Sequence, residues 1–185
     1  MKKYLFLSLF FCFGTANANF TGGYGVSNWS QSLNGGTIDT SGAPSIIEII
    51  GNDLIWDTPQ DPANTDFTIT ALAEGMVSFD WEYSTEDDPE FDTFGWLLGD
   101  VYTQLSDDSL GQQQSGSTMF NVLAGDIFGF RVHSVDSVFG AATATISNFS
   151  APASAPSPVP VPAAAWLFGS ALLGFLGFSR RKVNT

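Results

Sequence analysis

Between Val77 and Tyr83 the chain alternates without a break. Val77, Phe79, Trp81 and Tyr83 are large and apolar or aromatic; Ser78, Asp80 and Glu82 between them are polar. A period of two puts four bulky side chains on one face of a β-strand and the polar ones on the other. A strand of this kind has to bury one face against a second layer. Other segments read the same way. Ser45–Ile50 is a short β-branched run closed by Gly51-Asn52-Asp53, and Phe67–Leu72 alternates. Phe94–Leu98 and Val101–Leu105 flank Gly99-Asp100 as a hairpin, and Met119–Leu123 and Ile127–Val132 flank Ala124-Gly125-Asp126 as another. Ala142–Phe149 supplies a last strand. Strands at intervals of about 8–12 residues with turn signals between them predict a sandwich or barrel. No stretch of the body carries a long 3.6-residue period, and there is no βαβ pattern or internal repeat. The expected fold is all-β, an antiparallel β-sandwich.

The two ends are built differently. Met1-Lys2-Lys3 is basic, Tyr4–Gly14 is apolar, and Ala16 and Ala18 are small residues at spacing two. This is the layout of a secretory signal helix over 1–18 with cleavage after Ala18. Its apolar run is short for a permanent span. Cys12, the only cysteine, lies inside it and follows Phe11 rather than a small residue, so lipidation there is not expected. The processed chain then has no cysteine and no disulfides or thiolate ligands.

At the other end, residues 151–162 form a Pro/Ala/Ser linker without material for a core. Residues 163–179 are almost wholly apolar and predict a transmembrane helix, slightly short for about 30 Å of hydrocarbon. Arg180, Arg181 and Lys182 follow within a 180–185 tail, and by the positive-inside rule that tail stays cytoplasmic and the body faces outward. Val159-Pro160-Val161-Pro162-Ala163, then Ala164 to Ser170, Leu172-Leu173-Gly174 and the basic cluster resemble the PEP-CTERM family of sorting signals in its VPLPA-type variant. The resemblance implies recognition by an exosortase, a membrane protease-transpeptidase, in a Gram-negative bacterium that makes extracellular polysaccharide. It also implies an inner-membrane intermediate, then delivery to the cell surface or matrix. A plain membrane anchor is the alternative.

The body, residues 19–150, is one domain of ordinary size. It holds all 19 acidic residues and, of the basic ones, only Arg131, for a formal charge of −18. That sign excludes binding to nucleic acid or anionic membrane through phosphates. Cations, Ca²⁺ above all, and neutral or cationic polymers are the fitting partners. The alternative is acidity for solubility alone. Between Ser84 and Asp92 lie Glu86, Asp87, Asp88, Glu90 and Asp92, and like charges so close call for an offset. A hard cation with about 6–8 oxygen ligands suits them, though the spacing is not that of an EF-hand loop.

Phe79-Asp80-Trp81-Glu82, Glu90-Phe91-Asp92-Thr93-Phe94, Gly99-Asp100 and the run Phe130 to Ser137 followed by Phe139-Gly140 resemble CUB-type jelly rolls over about 60 residues, without the family's cysteines. The resemblance implies a Ca²⁺ site made by Glu82, Asp92 and Asp136, with Asp87, Asp88 and Glu90 as further candidates. The body is also similar to domains recurring in PEP-CTERM proteins, through its Phe-Asp-Trp strand and its terminal Ile146–Ser150 strand; that similarity carries no activity.

Catalytic residues are not expected. His133 is the only histidine and sits on a strand, alternating with Arg131; a zinc site or a serine triad has little to build on. With so many carboxylates, a hydrolytic pair is uninformative. Gly22-Gly23-Tyr24-Gly25 lacks the context of a phosphate loop. Trp29, Trp56, Trp81 and Trp96, with Tyr24, Tyr83 and Tyr102, offer faces for sugar rings. Trp81 and Trp96 read as core, and Trp56, beside Asp57-Thr58-Pro59, reads as the exposed platform. The leading function is thus a non-enzymatic cell-surface or matrix (exopolysaccharide- or biofilm-associated) β-domain, Ca²⁺-stabilised. The second is a carbohydrate-binding module holding exopolysaccharide, and the weakest is a small secreted hydrolase.

Overall fold

The structure, a computed structural model, describes residues 17–53 and 62–153. The signal region before Asn17, Trp56, the part of the linker after residue 153, the sorting motif, the apolar segment and the basic stop lie outside the described residues. The first two residues of the expected linker, Ala151 and Pro152, instead close the strand Thr143–Pro152 and are buried. Among the described residues no helix is long and apolar enough to cross a membrane.

Among the described residues eleven strands form two antiparallel sheets. They are β1 (Asn17–Ala18), β2 (Ser30–Ser32), β3 (Thr37–Asp39), β4 (Ile46–Ile50), β5 (Ala63–Thr70), β6 (Gly75–Ser84), β7 (Asp92–Leu98), β8 (Val101–Gln104), β9 (Gln113–Val122), β10 (Ile127–Ser134) and β11 (Thr143–Pro152). One sheet runs β3-β4-β11-β6-β9, with β1 on β11; the other runs β2-β5-β10-β7-β8. The chain is all-β, a β-sandwich. The alternating strand is β6, and its reach extends to Gly75–Ser84 because it lies between β11 and β9, pairing along its whole length with β9 and from Ser78 to Ser84, across one irregularity, with β11. Its inward residues Val77, Phe79, Trp81 and Tyr83 are buried, while Glu82 and Ser84 are exposed.

The core between the sheets is aromatic. Trp29 stacks between Phe67 and Phe130, at 4.6 and 5.6 Å, and meets Phe128 and Phe149 edge-on. Each such ring withdrawn from water is worth about 2–3 kcal/mol. Two single 3₁₀ turns, Gly22–Tyr24 and Val26–Asn28, bring Phe20, Tyr24 and Trp29 across that end of the sandwich. Their polar atoms are satisfied as they enter. The Trp29 indole donates to the Tyr24 carbonyl at 2.9 Å, and the Tyr24 hydroxyl donates to the Pro152 carbonyl at 2.8 Å and accepts from the Leu72 amide. Tyr24, Trp29 and Tyr83, read from sequence among the aromatics that could meet sugar, are therefore core residues.

The Gly99-Asp100 hairpin falls where its turn residues put it, with β7 paired to β8. The second expected hairpin does not form: Ala124-Gly125-Asp126 carries the chain from β9, which pairs with β6, across to β10 in the other sheet, which pairs with β5 and β7. Strand β9 begins six residues earlier than its apolar pattern, because Gln113–Thr118 has no hydrophobic alternation and pairs only through β6. Asn17–Ala18, the end of the expected signal, pairs with Pro152 and Ala151.

Candidate functional site

At one end of the sandwich the connections 85–91, 105–112 and 135–142 meet, and with Asp92 they gather eight of the 19 acidic residues. Asp92 opens β7, opposite Ser134 of β10, on the inward side shared by Phe94. It is 1% exposed, a rare position for a carboxylate with no cation beside it. Tyr83 reaches across from β6 and donates its hydroxyl to the Asp92 backbone carbonyl. Thr85 Oγ1 donates to Asp92 Oδ2 at 3.3 Å, and the Ser134 hydroxyl also bonds the carboxylate. Asp92 Oδ1 is buried without a hydrogen-bond partner. Burial lifts the carboxyl to about 6 against the pull of these hydroxyls, and the nearby negative charges of Asp87 and Asp136 add to the rise. The Tyr83 phenol is pushed well up by its own burial and by Asp92.

Asp87 stands in the same field. Its amide bonds Thr85 Oγ1, its Oδ1 accepts the Asp88 amide at 2.7 Å, and its Oδ2 is buried without a partner. Its carboxyl is raised by burial, and Asp136 adds to the rise while the Asp88 amide opposes it. The third acid arrives on the turn after β10. The Val135 amide bonds the Phe91 carbonyl at 2.7 Å, which ties the two acidic connections together. Ser137 and Phe139 hold left-handed backbone conformations, with φ of 57° and 68°, which cost non-glycine residues about 1–3 kcal/mol each. The Ser137 amide bonds Ser134 Oγ, and its hydroxyl accepts from Asn52 Nδ2 at 3.0 Å. Asn52, 3% exposed, leaves its Oδ1 unpaired. Gln112 closes the outside by donating to the Glu86 and Asp87 carbonyls.

Of the acids singled out in the sequence, this end brings Asp87, Asp92 and Asp136 into one another's fields. Glu82 stays apart: it lies on the outer face of β6, between Thr145 and Ser115, while its neighbour Tyr83 turns inward to Asp92. Asp88 and Glu90 are exposed. Among the described residues no three His, Cys, Asp or Glu side chains stand close enough to hold a metal ion as they are placed. The donor set nevertheless suits a hard cation, because buried carboxylate and amide oxygens, three of them unpaired, are the ligands such ions take. Thr85, Ser134, Ser137 and Asn52 escape sequence reasoning, since nothing in their spacing marks them.

The outer face of the other sheet carries the body's cation. Arg131 binds Asp66 through two hydrogen bonds of 2.7 Å and lies 5.8 Å from the Tyr102 ring. That ring covers Gly95, where a Cβ would sit 2.7 Å from it and 2.2 Å from the Thr103 carbonyl. Tyr102 shares a 3.0 Å hydroxyl contact with Thr93, and His133 Nδ1 bonds Asn64 Oδ1 at 2.7 Å. Burial and then the Arg131 charge depress the His133 imidazole. Two shallow grooves flank β9. One, about 360 Å³, lies on the outer face and is lined by Glu82, Ser84, Ser115, Thr143 and Thr145. The other, about 490 Å³, is lined by Trp81, Leu105, Leu110, Gln113 and Gln114.

No family model matches this chain, and no curated protein matches it. Among solved structures it is similar to a family 35 carbohydrate-binding module from an environmental isolate, at 14% identity and a TM-score of 0.34 over 68% of this chain and 93% of that one. It is similar also to Eiger TNF from S. frugiperda, at 13% identity and a TM-score of 0.21 over 68% and 96%. Both overlaps are loose, and the reading of the site rests on the residues above.

Proposed function

We propose that this chain is an exported, non-enzymatic surface or matrix-associated β-sandwich whose acidic end is completed by a divalent cation, Ca²⁺ in an extracellular setting. The observation that carries the reading is the carboxylate of Asp92: buried, unpaired at Oδ1, and facing the charge of Asp87 and Asp136. A bound ion would offset most of the charge of these three and take up the orphaned oxygens, with Asp87, Asp92 and Asp136 as ligands in place of the set that includes Glu82. The strand orders β4-β11-β6-β9 and β5-β10-β7-β8 support a jelly-roll assignment, since two interleaved Greek keys give this alternation. Export, sorting by an exosortase and release to the matrix rest on the two terminal segments of the sequence.

Titrating the metal-free full-length protein with Ca²⁺ in a calorimeter, beside thermal melts, tests the metal. Saturable binding at up to millimolar ion with a raised Tm is expected; no heat and no shift would remove the site. Mass spectrometry of the protein from its native host tests the route, with a first residue of Asn19 and loss of the C-terminal segment expected.

A second reading, adhesion to exopolysaccharide, draws on the groove at Trp81, where an indole edge lies among amide and hydroxyl groups. The host polysaccharide in the gel should retard the parent chain, and Trp81→Ala, once shown by circular dichroism to keep its fold, should migrate freely; a parent chain that is not retarded would remove this reading.

A further inference from the structure

The two sheets expose four edges of unequal length. Strands β2 and β3 have three residues each and β8 has four, whereas β9 has ten. An edge strand presents a row of backbone donors and acceptors to any extended chain, and proteins blunt long edges with charge, proline or bulges. Strand β9 has none of these. Gln113 to Val122 contains no charged residue and no proline, and its register with β6 runs without a shift. The β8–β9 connection is held against its first residues, through Gln114 Nε2 on the Asp107 and Gly111 carbonyls. The open length is therefore Gly116 to Val122, where Ser117, Met119 and Asn121 are exposed and Met119 is 68% exposed.

We propose that β9 is the seam through which two copies of this chain pair, edge to edge and antiparallel, joining their larger sheets into one. Charge selects the occupant. A body at −18 resists a second body over most of its surface, and a cationic partner is drawn to the acidic end instead. At β9 the two copies meet on an uncharged strand. Antiparallel pairing about a two-fold axis sets each residue against its counterpart reflected through the centre, and hydroxyl and amide side chains complement themselves in that arrangement. One strand pair buries less than a standard interface of about 1,200–2,000 Å², so the dimer is weak and concentration-dependent. Because the flanking acidic residues repel, salt strengthens it.

Sedimentation equilibrium of the full-length protein in density-matched detergent tests this. The mass should approach two copies as concentration rises, more readily at about 0.5 M than at about 0.05 M NaCl. Met119→Lys places a charge on the seam and should weaken association about tenfold; Ser32→Lys makes the same charge change on the short edge β2 and should not. Hydrogen exchange gives a second readout, with amides in Gly116–Val122 slowing as concentration rises. A single-copy mass throughout, a dimer indifferent to Met119→Lys, or equal weakening by Ser32→Lys would overturn the proposal.

Discussion

Asp66 and Asp92 are carboxylates of the same sheet, one on β5 and one opening β7, and the molecule treats them in opposite ways. Asp66 lies on the outer face and receives the only basic side chain among the described residues, in a two-bond fork with Arg131 braced by Tyr102. Asp92 is turned inward, is more deeply buried, and receives hydroxyls but no charge. A chain with one arginine in its body can neutralise one such group from within. What the contrast teaches is which buried carboxylate no basic side chain of the described residues meets, and the cation proposed for the acidic end is motivated by that difference.

The largest expected effect comes from breaking the paired side. Arg131→Met should cost about 3 kcal/mol in denaturant unfolding, because it strands a half-buried carboxylate and uncovers Tyr102. Adding Asp66→Asn should recover at least half of that; no recovery would mean that the arginine stem, not the charge, matters.

The same operation on the unpaired side should run the other way. Asp92→Asn should stabilise the metal-free protein by about 2 kcal/mol at pH 7, since a neutral amide escapes the penalty of burying charge. It should also abolish any Ca²⁺-dependent rise in Tm. A destabilised variant that still responds to Ca²⁺ would break the comparison.

Acidity sharpens it further. Asp92 titrates near 6 in the folded chain, above the ordinary aspartate value, so the folded state holds the proton more tightly than the unfolded one. Metal-free stability should therefore rise as pH falls from about 7 through 6 towards 4, by up to about 3 kcal/mol from this group. With Ca²⁺ present the trend should flatten or reverse, because the ion needs the ionised carboxylate. Melts of the parent and Asp92→Asn across this range isolate the component.

The smallest effect marks the boundary of the site. Glu82→Gln, on the outer face of β6, should change stability by less than about 0.5 kcal/mol and leave Ca²⁺ binding as it was.

Much of the fold was legible because β-structure buried on one face writes its period into the chain. Val77 to Tyr83 announces β6, and Gly99-Asp100 announces the β7–β8 hairpin; Ala124-Gly125-Asp126 announces a turn, but not that the strands on either side of it part into different sheets. The start of β9 was not legible, since Gln113–Thr118 is an edge segment of polar residues and owes its strand to β6. The small strands β2 and β3 were missed for a similar reason. Of the site, the acidic run names Asp87 from sequence, and the resemblance to CUB-type jelly rolls names Asp92 and Asp136 together with Glu82. Alternation on β6 sends Glu82 and Tyr83 to opposite faces, and the inward one, Tyr83, is what meets Asp92.

By itself the sequence determined that the body is a two-layer β-domain, strongly acidic and without a disulfide framework once an expected signal is removed. These follow from periodicity and composition, which are local and additive. Only the tertiary structure decided which carboxylate is buried, which one the single arginine serves, and which strand is left as the long edge. Those outcomes depend on pairing between residues distant in the chain, as for Asp92 with Ser134 and Asp66 with Arg131, and no local pattern encodes such a distance.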